Sequence, residues 1–304
     1  MEQPLQQPSL FSLKWEIRTM LYAGVLLLTT GLGVLVYKNI DTIGHQAILA
    51  FIALLGIGSY YYCLKHKTPF TTEKAESPNM AYDYILLLGS LSMITFIGYL
   101  QFQYNVFGNR FGLVTFIPMV ILFFTAYYFD HLGILSLAIT NLAAWAGIAA
   151  TPQTLFTQND FSSGILILTA IVLGILLIIM GIFSRKKNIK AHFDFTYTNF
   201  GLHLLFVGCF AAMFEFEPIQ LLVFAAIIAI GYYFFLEAKR RKSFYILLMT
   251  TLYCYVAISA EVMYLLFNFL RADVGGVYLS FMYYIVSSVL LVIFLIRMNK
   301  NLKS

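Results

Sequence analysis

Ten long runs of apolar residues, separated by short polar connections, dominate the hydropathy pattern of the chain. Each run is about 18–25 residues long, the length that an α-helix needs to cross the hydrocarbon core of a bilayer. The runs lie at residues 19–37, 44–64, 82–100, 111–129, 132–149, 164–183, 199–216, 219–236, 244–266 and 276–296. The alternation typical of membrane β-strands does not recur along the sequence. The pattern therefore predicts an all-α polytopic integral membrane protein with about ten transmembrane helices.

The composition agrees with a protein that dissolves in a bilayer. Hydrophobic residues make up 61% of the 304 positions and charged residues only 11%, whereas a soluble domain has about 25% charged residues. Disorder is excluded too, because it requires low hydrophobicity. The longest connection, at residues 65–81, is shorter than the roughly 40 residues that a small domain needs. We therefore expect functional residues on helix faces and in short loops.

The basic residues predict the orientation of the chain. Sixteen of the 19 Lys and Arg residues lie in the two ends and the even-numbered connections. The opposite side has only Lys38, Arg110 and Arg271. Because cytoplasmic loops carry the excess of Lys and Arg, this partition places both termini in the cytoplasm.

The predicted organisation has three parts along the chain. They are a cytoplasmic N-terminal segment at residues 1–18, a ten-helix transmembrane domain at residues 19–296, and a cytoplasmic C-terminal tail at residues 297–304.

One candidate polar site follows from the ionisable residues inside the apolar runs. Glu261 lies about 26 Å along span 9, at 1.5 Å per residue, and a desolvated glutamate requires a cation or several hydrogen-bond donors. We expect the outer ends of spans 3 and 9 to converge there and to capture a polar headgroup or a small solute. The alternative is that the same groups only cap helix ends. The site would consist of Glu261, Asn268, Arg271, Tyr104, Asn105, Asn109 and Arg110.

The sequence gives no basis for catalytic, cofactor or metal residues. The three cysteines lie in apolar runs and make no ligand pair at metal spacing. No H-E-x-x-H motif and no histidine pair at ligand spacing is present. We therefore assign no catalytic residue, no cofactor and no metal, and we leave the question of an enzyme open while favouring a protein that is not one.

Two motifs carry a resemblance to a known family. Trp15-Glu16-Ile17-Arg18 precedes a Gly-rich first span, and Gln103-Tyr104-Asn105-Val106-Phe107-Gly108-Asn109 precedes an apolar span that contains Pro118. These features resemble bacterial polytopic membrane proteins catalogued as domain of unknown function 2157, in which the turn often reads Tyr-His-x-x-Gly-Asp. Asn105 and Asn109 replace that histidine and that acid. The resemblance implies a membrane location and a helical fold, and it implies no activity.

Three functions stay open at the level of the sequence. We favour a transporter or permease-like protein of the bacterial inner membrane that handles a small or lipidic molecule, because ten spans without a soluble domain suit that task. A non-enzymatic subunit for envelope assembly or interaction is nearly as well supported, because few polar groups lie in the spans. An intramembrane enzyme is favoured least. The expected partners are the bilayer and either a small-molecule or lipid ligand or a membrane protein, and no nucleic acid.

Overall fold

The computed structural model describes residues 13–150, 163–269 and 274–303, and this part of the chain is helical without any strand. The ten α-helices are α1 (Leu13–Ile43), α2 (His45–His66), α3 (Met80–Tyr104), α4 (Phe111–Phe129), α5 (Leu132–Ala150), α6 (Gly164–Lys187), α7 (Asp194–Glu215), α8 (Gln220–Arg240), α9 (Phe244–Tyr264) and α10 (Val274–Lys303). Within the described residues, nine helical segments are long and apolar enough to cross a membrane. The prediction of an all-α polytopic membrane protein is confirmed.

The helices extend beyond the apolar runs at several ends. The apolar stretch of α1 is the shorter segment Thr19–Val34, and α10 continues through most of the predicted C-terminal tail to Lys303. Gly44 separates α1 from α2 with a φ of 81°, a backbone conformation that glycine adopts readily. At its C-terminal end, α9 passes into the π-helix Leu265–Phe269. Residues 1–12 of the predicted N-terminal segment lie outside the described residues.

The described residues form two compact units. The first contains residues 13–150 and 180–197, and the second contains residues 163–179, 198–269 and 274–303. The chain passes between the units inside α6 and inside α7. Each unit therefore includes one part of both helices.

Small residues bring α2 and α3 together in the first unit. A Cβ atom on Gly89 would lie 2.9 Å from the Cβ of Ser59, and a Cβ on Gly56 would lie 3.6 Å from the Cβ of Ser92. Such residues let the backbones of membrane helices approach closely. Further along the interface, the hydroxyl groups of Tyr60 and Ser90 share a hydrogen bond of 3.0 Å.

The second unit is held by the same kind of close approach and by an apolar core. A Cβ on Gly201 of α7 would lie 2.8 Å from the carbonyl oxygen of Gly174 in α6, so the two backbones touch there. The core around them includes Phe206, Ile227 and Leu247, which are fully buried. The unit therefore packs its parts of α6 and α7 with α8, α9 and α10 around one apolar cluster.

Candidate functional site

Three connections between helices meet at one end of the first unit. They are the connecting segment 67–79 between α2 and α3, the turn at Asp130 and His131, and the stretch 188–193 before α7. The backbone N–H of Lys190 donates to the carbonyl of Thr72 over 2.8 Å, and the N–H of Ala75 donates to Asp130 Oδ2 over 2.5 Å. Connections that are distant in sequence thus build one surface.

The turn between α4 and α5 positions two ionisable side chains on this surface. Asp130 ends α4 in the left-handed conformation, with φ 58°, which aspartate tolerates better than most residues. His131 then caps α5, because its Nδ1 accepts the backbone N–H of Ile134 over 3.1 Å. The Asp-His pair therefore completes both helices and faces the connecting segment 67–79.

Asp130 is paired with two basic side chains from the stretch before α7. Its Oδ1 lies 3.2 Å from Lys190 Nζ and 2.7 Å from His192 Nε2. The side chains of Lys190 and Asp130 are only 2% and 3% exposed, and Lys190 also donates to the Glu73 carbonyl over 3.3 Å. These contacts fasten the connecting segment 67–79 to the two neighbouring connections.

Asp83, in the first turn of α3, has different surroundings. Its Oδ1 accepts the Ser77 hydroxyl over 2.5 Å and lies 4.0 Å from His131 Nε2. The Asp83 side chain is 17% exposed and that of His131 6% exposed. Burial lowers the pKa of His131 from its ordinary value, against the opposite effect of Asp83 and Asp130. The Asp83 carboxylate therefore faces a neutral imidazole.

These groups line a polar cavity of about 580 Å³. Among the described residues, no group of three His, Cys, Asp or Glu side chains is arranged to hold a metal ion. The volume falls within the range of about 300–1,000 Å³ that is typical of small-molecule sites. The cavity is lined by Tyr22, Lys74, Ala75, Glu76, Ser77, Asn79, Met80, Asp83, Asp130, His131, Leu132, Gly133 and His192.

The turn of the predicted outer site lies in the first unit. Tyr104, Asn105, Asn109 and Arg110 are exposed there. Its polar groups are organised by the buried Gln101, whose Nε2 donates to Asn105 Oδ1 over 2.8 Å and to the Gly108 carbonyl over 2.9 Å. The turn is thus a helix-ending structure in its own right.

The other residues of the predicted outer site belong to the second unit or lie outside the described residues. Glu261 is 9% exposed, and its Oε2 accepts from Gln220 Nε2 over 2.7 Å. Asn268 is exposed in the π-helix, and Arg271 lies outside the described residues. The convergence of these groups with the turn after α3 stays a prediction.

The polar cavity was not predicted from the sequence. In the sequence, Asp130 and His131 lie between the predicted spans 4 and 5, and Asp83 lies inside the predicted span 3. One signal was available, because an acid within an apolar run is a functional candidate by default. Lys190 gave no such signal, since it follows three other basic residues of its connection.

A comparison with protein families bears on the first part of the chain. Residues 2–135 match the sequence model of a family described as predicted membrane protein (DUF2157). The resemblance is confirmed over these residues. They include Asp83, Asp130 and His131 of the polar cavity, whereas Lys190 and His192 lie beyond the match. No curated protein and no solved structure matches the chain.

Proposed function

We propose that this membrane protein is a permease-like protein of the bacterial inner membrane that binds a small polar solute in the polar cavity. The observation that carries the proposal is the cavity itself, which has about 580 Å³ of space at the end of a membrane-spanning helical unit. Its walls are mostly polar side chains and backbone groups. A small hydrophilic molecule fits such walls better than a lipid chain does.

The position of the cavity suits the cytoplasmic opening of a permease. The three connections that build it are all even-numbered, and the partition of basic residues assigns these connections to the cytoplasm. Their mutual contacts, such as that of Lys190 with Thr72, support grouping them on one side. A solute released from the cavity would then enter the cytoplasm.

Binding is tested by the thermal stability of the purified protein in detergent with a panel of small cations, anions and neutral solutes. We expect at least one solute to raise the unfolding temperature of the wild type, because a ligand that binds only the folded state stabilises it. Solutes that bind are then tested for uptake into proteoliposomes. The effect should be lost in Leu132→Trp, which adds bulk to the cavity wall at a side chain that is 42% exposed.

The control variant is Glu217→Gln, an exposed acid in the second unit, which should respond like the wild type. A panel without any stabilising solute, or stabilisation that persists in Leu132→Trp, contradicts the proposal. Binding without uptake contradicts the permease function. It would favour the alternative of an envelope assembly or interaction subunit, in the form of a subunit that binds a solute.

A second proposal is that the predicted outer site around Glu261 captures a polar headgroup or a small solute. It is supported by the burial of Glu261 and its hydrogen bond with Gln220. Gln220 is a neutral partner, so a cationic group of a ligand could bind the same carboxyl group. Glu261→Gln keeps an acceptor for Gln220, so we expect little change in stability and a loss of uptake. Loss of stable protein would favour a purely structural role.

A further inference from the structure

We infer that the solute of the polar cavity carries a protonated amine, that Asp83 binds this amine, and that protonated His131 competes with it for the same carboxylate. The inference rests on the proposed function and names its solute class and its coupling to protons. The amine and a proton would then bind in exchange, one replacing the other beside Asp83.

Asp83 is a largely buried acid of the cavity without a permanent cation, whereas Glu76 is exposed to solvent and Asp130 is paired. Among the described residues, no Lys or Arg nitrogen lies within 4.0 Å of Asp83, and it contacts the Ser77 hydroxyl and the His131 ring. Asp130 differs, since Lys190 and His192 already bind it. A carboxylate that is 17% exposed gains most from a cation when few waters surround it. An ammonium group supplies both the charge and the hydrogen-bond donors.

His131 is held in one tautomer by its role as a helix cap. Its Nδ1 accepts the Ile134 N–H, so the single proton of the neutral ring is on Nε2, the nitrogen that faces Asp83. A second proton, taken from the water of the cavity, would add to Nδ1 and break this cap. The resulting imidazolium would neutralise Asp83 and displace an amine.

The other charged groups around His131 and Asp83 are either exposed to solvent or in contact with Asp130. Lys74 and Glu76 belong to the connecting segment 67–79 and are exposed to solvent. From the stretch before α7, Lys190 and His192 contact Asp130. From α1, Tyr22 contributes an aromatic ring to the cavity wall, a surface that attracts cations. None of these groups supplies Asp83 with a cation in the structure.

The test uses three probes of nearly the same size, benzylammonium, benzoate and benzyl alcohol, and the full-length protein in detergent. Their affinities are measured by isothermal titration calorimetry at pH 7.5 and 5.5 for the wild type, Asp83→Asn and His131→Asn. We expect benzylammonium to bind and to lose at least tenfold in affinity in Asp83→Asn. We also expect its affinity for the wild type to fall at least threefold from pH 7.5 to 5.5.

The variant His131→Asn isolates the contribution of His131 protonation to the pH dependence of binding. The asparagine Oδ1 can still accept the Ile134 N–H, because asparagine is a favoured N-cap residue, but the residue does not titrate. The other charged groups of the cavity are present in both proteins, so the difference between the pH profiles of the wild type and His131→Asn reports His131. We expect the profile of His131→Asn to be flatter than that of the wild type.

Several outcomes overturn the inference. If benzoate or benzyl alcohol binds as tightly as benzylammonium, the inference that the solute carries an amine is wrong. If the wild type and His131→Asn have equal pH profiles, the inference that protonated His131 competes with the amine is wrong. If Asp83→Asn does not fold, Leu132→Trp replaces it, and amine binding that survives there also contradicts the site. If anions or neutral solutes of the larger panel bind in the cavity and ammonium ions do not, the proposed function stands and this inference fails. If nothing binds in the cavity, both fail.

Discussion

Replacing Lys190 with methionine should destabilise the first unit by about 3 kcal/mol. The Lys190 side chain is 2% exposed, and its Nζ lies 3.2 Å from Asp130, which is 3% exposed. Removing one partner of a buried ion pair costs about 3–5 kcal/mol, because the other charge is left buried. We expect the lower end of this range because His192 Nε2 still lies 2.7 Å from the carboxylate. A loss of this size corresponds to a change of about 150-fold in the folding equilibrium.

Tryptophan fluorescence makes this measurement specific to the first unit. Trp15 and Trp145 are the only two tryptophans of the chain, and both belong to that unit. Unfolding of the purified protein is followed in mixed micelles as the share of denaturing detergent rises. The midpoint and slope of the transition give the free energy of unfolding for each variant.

The control is Lys186→Met, which removes an exposed cation of α6 within the first unit. Surface substitutions of this kind usually change the free energy of unfolding by about 0.5 kcal/mol or less. A double variant, Lys190→Met with Asp130→Asn, should cost less than the sum of its parts because no buried charge is left unpaired. The reasoning is refuted if Lys190→Met costs no more than Lys186→Met.

Three further predictions follow from the helices and their ends. The stability of the first unit should fall as the pH drops below about 6.5, the ordinary pKa of histidine, because the folded state holds the pKa of His131 below that value. Unfolding followed by tryptophan fluorescence should show a smaller loss of stability in His131→Asn. Gly201→Ala should lower the unfolding temperature, since its Cβ would meet the Gly174 carbonyl at 2.8 Å, whereas Gly58→Ala, with open space around it, should not. Reporter fusions in the basic connections should all read cytoplasmic, and a periplasmic signal at any of them would contradict the orientation; the fusion points are after residues 75, 190 and 241.

The helices were predictable because crossing a bilayer imposes a local requirement, about 20 consecutive apolar residues. The same local reading identified Glu261 as an ionisable residue inside an apolar run. It also identified the turn before Arg110 as polar. It did not reveal that the buried Gln101 organises this turn, because a glutamine near the end of a span looks like any interfacial residue.

The polar cavity depends on contacts between distant parts of the chain, which no local pattern encodes. His192 and Asp130 are 62 positions apart, and the apolar spans α5 and α6 lie between them. Their residue types are common at helix ends, where solvated charges need no partner. Asp83 was overlooked for a different reason, since one acid hardly changes the mean hydropathy of a 25-residue helix.

The separation of Asp130 from its basic partners also sets an order of events during synthesis. At about 5–20 residues per second, the 62 positions between Asp130 and His192 require roughly 3–12 seconds. During that interval α5 and α6 are being synthesised, and the basic side chains that pair with Asp130 do not yet exist. The newly made acid must stay in contact with water or with the insertion machinery until α6 has been inserted. A chain that stops after α5 would keep this exposed acid permanently, which makes it a natural substrate for quality-control proteases.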